Sequence, residues 1–160
     1  MKKLYMLLMA LAITVSAFAQ SGKEIYRKYS DLPGVSAVYV SPSMFRIIGR
    51  LPEFEVEDDS VDLAPIILSM SGFYMLSCED SKVGDKLYAE VSRLIDKGDY
   101  ELLMEAKEGG EATRIYSAGS GKEVTSLVML TRDGDDVTYI GIDGRMDRDK
   151  LENILAEVAE

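Results

Sequence analysis

Apolar residues at Ile25, Tyr29 and Leu32 recur at helical spacing, and Pro33-Gly34 ends the run, so a short helix is predicted here. Val35–Val40 is β-branched and aromatic and predicts a strand. Ser41-Pro42 then forms a cap and first-turn pair for a helix that turns Met44, Phe45 and Ile48 to one side and closes at Gly49 and Pro52. Residues 53–62 carry six carboxylates and no basic residue, which reads as a solvated loop. Pro65 predicts a short turn and Phe73–Cys78 a second strand. Asp80 or Ser81 is expected to cap the next helix, whose stripe is Val83, Leu87, Val91, Leu94 and Ile95 and whose end is Gly98.

Beyond Gly98 the period changes from helix to strand. Tyr100, Leu102, Met104 and Ala106 alternate with Glu101, Glu105 and Lys107. Gly109-Gly110 predicts a two-residue hairpin turn, because glycine alone takes positive φ twice at low cost. Ala112–Ala118 returns, Gly119-Ser120-Gly121-Lys122 turns the chain, and the strongly apolar Val124–Thr131 reads as a central strand. Asp133-Gly134-Asp135 turns again into Val137–Ile142. Asp149 and Glu152 have capping-box spacing ahead of a helix with the stripe Leu151, Ile154, Leu155 and Val158. The expected class is α+β: a single domain over residues 20–160, with a mixed or antiparallel sheet. Two strand-then-helix units precede a C-terminal four-strand meander, and helices pack on one face. The other face is expected to keep Thr, Ser, Glu and Arg side chains and stay wet.

The N-terminus has a different pattern. Lys2 and Lys3 precede 12 almost wholly apolar residues, Leu4 to Val15. Ala17 and Ala19 then supply the two small residues of a signal-peptidase site, with cleavage expected before Gln20. Residues 1–19 are therefore read as a signal peptide. The apolar run is shorter than the roughly 20 residues a membrane helix needs, so no stable membrane span is expected. No cysteine follows it, so anchoring through a lipidated cysteine is not expected either. Loss of residues 1–19 leaves 141 of the 160 residues and takes the formal charge from −10 to −12. The protein is expected to be exported, periplasmic or secreted.

Composition narrows the chemistry. There is no histidine, one cysteine and no tryptophan. A His-based triad, a Cys/His dyad and a Cys/His zinc site are thereby excluded. The acidic balance disfavours nucleic acid as a partner. Cys78, beside Phe73-Tyr74-Met75-Leu76-Ser77, reads as a small core residue near a strand end rather than a reactive thiol. Gly119-Ser120-Gly121-Lys122 lacks the first glycine and the hydroxyl residue of a phosphate loop, since Tyr116 and Glu123 stand there. Asp133, Asp135 and Asp136, and again Asp143, Asp147 and Asp149, crowd turns without matching the calcium-loop pattern. The many carboxylates offer no way to choose a hydrolytic pair, and no G-x-S-x-G is present. No catalytic, cofactor-binding or metal-binding residue is assigned, no cofactor is expected, and the protein is read as non-enzymatic.

The run Tyr39-Val40-Ser41-Pro42-Ser43-Met44-Phe45 resembles a segment of Bacteroidetes exported proteins of the domain of unknown function 4252 family. Tyr100–Glu105, Gly109-Gly110-Glu111 and Leu127–Leu130 are similar to the same family, and the resemblance spans about residues 22 to 158. It implies a small envelope protein, exported or lipid-anchored, often encoded near regulators of the extracytoplasmic sigma-factor type. It supplies no catalytic residues. The expected function is a binding or envelope-signalling module whose partner is an envelope protein or a cell-surface component. It would use the wet sheet face or an exposed edge of the meander. The alternatives are a carrier of a small ligand or lipid, which needs a large apolar cavity, and a carboxylate-dependent hydrolase of glycans or peptides.

Overall fold

The computed structural model describes residues 21–48 and 64–158. Ala17, Ala19, Gln20, the closing Gly49 and Pro52, and the acidic run 53–62 lie outside these residues. The elements run α1 Gly22–Tyr29, β1 Val35–Val40, α2 Pro42–Ile48, α3 Ala64–Ser69, β2 Met70–Cys78, α4 Ser81–Lys97, β3 Glu101–Glu108, β4 Glu111–Ser120, β5 Glu123–Asp133, β6 Asp136–Asp147 and α5 Arg148–Val158. The fold is α+β and one domain. Its six strands form an antiparallel sheet in the order β1-β2-β6-β5-β4-β3, with β3 to β6 as the meander.

Two-residue turns set the meander's register. Gly109 and Gly110 both take positive φ, 58° and 102°, and join β3 to β4, as their pairing in sequence predicts. The next turn is shorter than expected. β4 runs through Gly119 to Ser120, which pairs with Glu123, so Gly121-Lys122 alone makes the turn. Asp133 pairs with Asp136 across the last turn. The apolar strand β5 is central, between β6 and β4.

The main core lies between one sheet face and the helices α1 and α4. Tyr74, Leu76 and Cys78 of β2, Val128 and Leu130 of β5, and Val137 and Tyr139 of β6 meet Ile25, Tyr29, Leu87 and Val91. Cys78 is wholly buried at the end of its strand. Asp80, not Ser81, caps α4: its carboxylate accepts from the backbone N–H groups of Lys82 and Val83, both at 3.0 Å. A smaller cluster joins Ile66 of α3 and Leu151 of α5 to Val124 and Met146, with Met70, Leu127 and Ile142 against it. Leu127 and Ile142 alternate with Val128 and Gly141, so this cluster sits over one end of the opposite face, and the expectation that helices pack on one face alone is corrected: α3 and α5 cover part of the second.

Two local expectations are corrected. Pro65 lies in the first turn of helix α3, where its missing N–H would have no intrahelical partner anyway, and not in a turn. At α5 the cap is Asp147, whose carboxylate accepts from Lys150 N–H at 3.1 Å, so Asp149 is already inside the helix. Strand β6 runs directly into this helix and moves its start two residues back. Helices also precede both N-terminal strands, giving helix–strand–helix units.

Candidate functional site: the open face of the sheet

The face opposite the main core is not the polar surface expected from the alternation. Antiparallel pairing aligns Val38, Met75, Ile140, Met129, Ile115 and Met104 side by side, one from each strand. At about 4.8 Å per strand this row is roughly 24 Å wide. Its ends, Val38 and Met104, are each 46% exposed, and its four inner members are half-buried. No charged residue interrupts it.

A second row borders it. Ser36, Ser77, Thr138, Thr131, Thr113 and Ala106 pair in the same way across all six strands. Thr113 and Thr131 share a hydrogen bond at 2.9 Å, and Ser77 and Thr138 one at 3.4 Å. The hydroxyls therefore satisfy one another and leave a neutral margin beside the apolar row. On the other side, Phe73, Ile142 and Leu127 begin the region seated under Ile66 and Leu151. The open face is thus a neutral apolar strip between a hydroxyl margin and a helical wall. Further apolar side chains on α2 and α3, namely Met44, Ile47 and Leu68, are also exposed.

Sequence reasoning missed this row. The available signal was the unbroken apolar runs Phe73-Tyr74-Met75-Leu76 and Leu127-Val128-Met129-Leu130, which put apolar side chains on both faces of one strand.

On the core face, tyrosines gather around one carboxyl. Ser126 Oγ donates to Asp143 at 3.3 Å, and Tyr100 donates its hydroxyl to Ser126 at 2.9 Å. Burial pushes the Asp143 carboxyl above its ordinary value, against the opposing hydrogen bonds from Ser126 and Tyr74. Tyr74 is pushed up to about 12, by burial first and then by Asp143. Tyr26, Tyr39 and Tyr74 form a ring cluster in which Tyr39 stacks on Tyr74 at 5.5 Å. The partners of Asp143 are hydroxyls, whereas glycoside hydrolysis needs a second close carboxylate. A buried acid with a raised value keeps its proton when folded, in a pH range where the unfolded chain has lost it. Its contribution to stability therefore falls as pH rises through that range. Asp143→Asn is expected to raise stability at pH 7 by about 1 kcal/mol and to flatten this slope, which thermal melts at pH 4 and pH 7 would show.

The turn carboxylates are spread out. Asp133 and Asp136 are cross-strand neighbours, Asp147 caps α5, and Asp143 joins the tyrosines. Among the described residues no helix is long and apolar enough to cross a membrane. A surface cleft of about 270 Å³ lies between β3, β4, β5 and α5, lined by Leu103, Ser117, Val124, Arg148, Leu151 and Glu152. In the main core Ile25, Leu76, Leu87, Val91 and Tyr139 are all fully buried.

No curated protein and no solved structure matches the chain. A family model does, over residues 29–154, a span that takes in β1 to β6 and both rows of the open face. The chain therefore belongs to the family of the domain of unknown function DUF4252.

Proposed function

We propose that the protein is a non-enzymatic binding module of the cell envelope, exported by its N-terminal segment, and that the open face of its sheet receives the partner. The observation that carries this reading is the row from Val38 to Met104. Scattered apolar residues are normal on a protein surface, but a contiguous neutral strip across a whole sheet marks an interaction site. Lys2, Lys3, the apolar run and the Ala17/Ala19 site support export. The partner is an envelope protein or cell-surface component with an apolar, uncharged contact surface. Periplasmic or secreted, the protein would be free of a lipid anchor.

The test places a photoreactive side chain at Met129 in the exported protein within intact cells. The expected result is a defined adduct that excess unlabelled protein competes away. Adding Met129→Lys to the competitor should weaken the competition at least tenfold, because a buried unpaired charge costs more than about 1.4 kcal/mol. The intact mass of the recovered protein should match a chain beginning at Gln20. Failure to obtain a competable adduct removes the binding reading, and a mass that retains Met1 removes export.

A further inference from the structure

The two edges of the sheet are built differently. Strand β3 forms one edge and is guarded: it carries Glu101, Glu105, Lys107 and Glu108, and its register shifts between Leu102 and Met104. Lys107 and Glu105 pair along it at 2.7 Å. Charges and bulges of this kind prevent an edge from templating another strand. Strand β1, at the other edge, has neither. Val-Ser-Ala-Val-Tyr-Val contains no charge and no proline, and all six residues keep regular register with β2. Val38 and Tyr39 on it are exposed.

We infer that β1 pairs with β1 of a second copy of this chain, antiparallel and centred on Val38. The inference concerns the sheet's edge and goes beyond the face-binding reading, so either can fail without the other. Three features select a second copy over a foreign strand. First, the sequence is self-complementary. A twofold axis at Val38, perpendicular to the sheet, sets Val38 against Val38, Ser36 against Val40 and Ala37 against Tyr39. Opposed residues then share a face, as strand alternation requires. The exposed Tyr39 ring of each copy covers the small Ala37 of the other, while the hydroxyl of Ser36 lies at the rim beside Val40.

Second, charge selects this edge. The chain carries −10 overall, and two such bodies repel wherever their surfaces are acidic. Strand β1 offers a six-residue line with no charge, whereas β3 would oppose three carboxylates to three. Third, the chosen register is the one that continues the apolar row. Val38 ends that row in each copy, so pairing at Val38 makes one row of twelve residues across twelve strands. The contact is one strand about 20 Å long, at the small end of protein interfaces, so the association is reversible and depends on concentration.

The test uses the exported protein as recovered, with Val38→Cys and Ser36→Cys made separately and exposed to a mild oxidant. Cys78 is fully buried and does not contribute a bridge. In the proposed register the two thiols introduced at position 38 face each other within disulfide reach. Those introduced at position 36 lie about 14 Å apart, beyond the roughly 7 Å limit for a bridge. Val38→Cys should therefore cross-link into a covalent dimer and Ser36→Cys should not. In sedimentation velocity the unmodified protein should shift toward dimer with concentration. Val38→Lys, at a position already exposed, should weaken that shift at least about tenfold while leaving the melting temperature of the dilute monomer unchanged, since like charges then meet on the axis. Equal cross-linking by the two variants, or a monomer at every soluble concentration, overturns the inference.

Discussion

Gly141→Ala is expected to destabilise the protein by about 3 kcal/mol, the upper end of the cost of overpacking a core. Tyr139 leans along β6 over Gly141, two residues away on the same face. A Cβ at 141 would overlap the Tyr139 hydroxyl and stand 2.9 Å from its Cζ. The phenol cannot retreat, because its other side is closed by α1: a Cβ at Gly22 would lie 2.5 Å from the same hydroxyl. Tyr139 is fully buried, and its hydroxyl has no hydrogen-bond partner among the described residues. The two glycines thus form a slot sized for one oxygen atom, and this slot sets the distance between helix α1 and the sheet. The loss should lower the melting temperature by roughly 10 °C. Adding Tyr139→Phe should recover part of the loss, because it removes the overlapping oxygen but keeps the ring carbon beneath it. A double-mutant cycle by chemical denaturation would measure this coupling, and strict additivity would show that the slot does not exist.

The second large effect is at Glu90. It lies in the middle of α4 at 2% exposure, accepts from Lys28 Nζ at 2.5 Å and from the Tyr29 hydroxyl at 2.8 Å, and so ties α4 to α1. Burial acts to raise this carboxyl. The hydrogen bonds from Lys28 and Tyr29, with the attraction of Lys28 and Arg93, outweigh burial and bring it below its ordinary value. Glu90→Ala should cost about 2–3 kcal/mol. Most of that comes from the Tyr29 hydroxyl left buried without its acceptor, since the Lys28 side chain is 60% exposed and can turn to water. The pH dependence follows from the sign of the shift. A carboxyl lowered by folding contributes fully above its unfolded value, and the contribution is lost as pH falls through the folded value. Denaturation of the native protein below pH 4.5 should therefore show a steeper loss than that of Glu90→Gln, which keeps an acceptor for Tyr29 but no charge to titrate. Parallel slopes for the two proteins would contradict the assignment.

Much of the architecture is legible in the sequence because local and global signals agree. The meander follows from glycines at the turns and from period-two strands, and α4 from its stripe between Asp80 and Gly98. Helix α5 is legible too, but its start reads two residues late, because Asp149 and Glu152 mimic a capping box while the strand before them ends on Asp147. Strand β3 alternates well in sequence yet is exposed almost throughout, since an edge has a neighbour on one side only. The open face is hidden for a related reason. Alternation shows that a strand has two faces but not how each is covered, and Met75, Met129 and Ile140 look like core residues until pairing places them in one line on the face opposite the main core. The Asp143 cluster is similarly invisible, because its members are far apart in sequence and meet only in three dimensions.

The two-residue turns of the meander also govern the order of assembly. Strands β3 to β6 meet through neighbours in sequence, so their closure costs little chain entropy and they can zip together first. Strand β1 must wait for β2, from which residues 41–69 separate it, and only then can it dock on the finished template. The last strand to arrive is held by one neighbour and should be the first to release its amide protons to exchange. In native-state hydrogen exchange on the dilute monomer, opening free energies should rise from β1 inward to β5 and β6, making the unguarded margin of a single copy also its most readily undone.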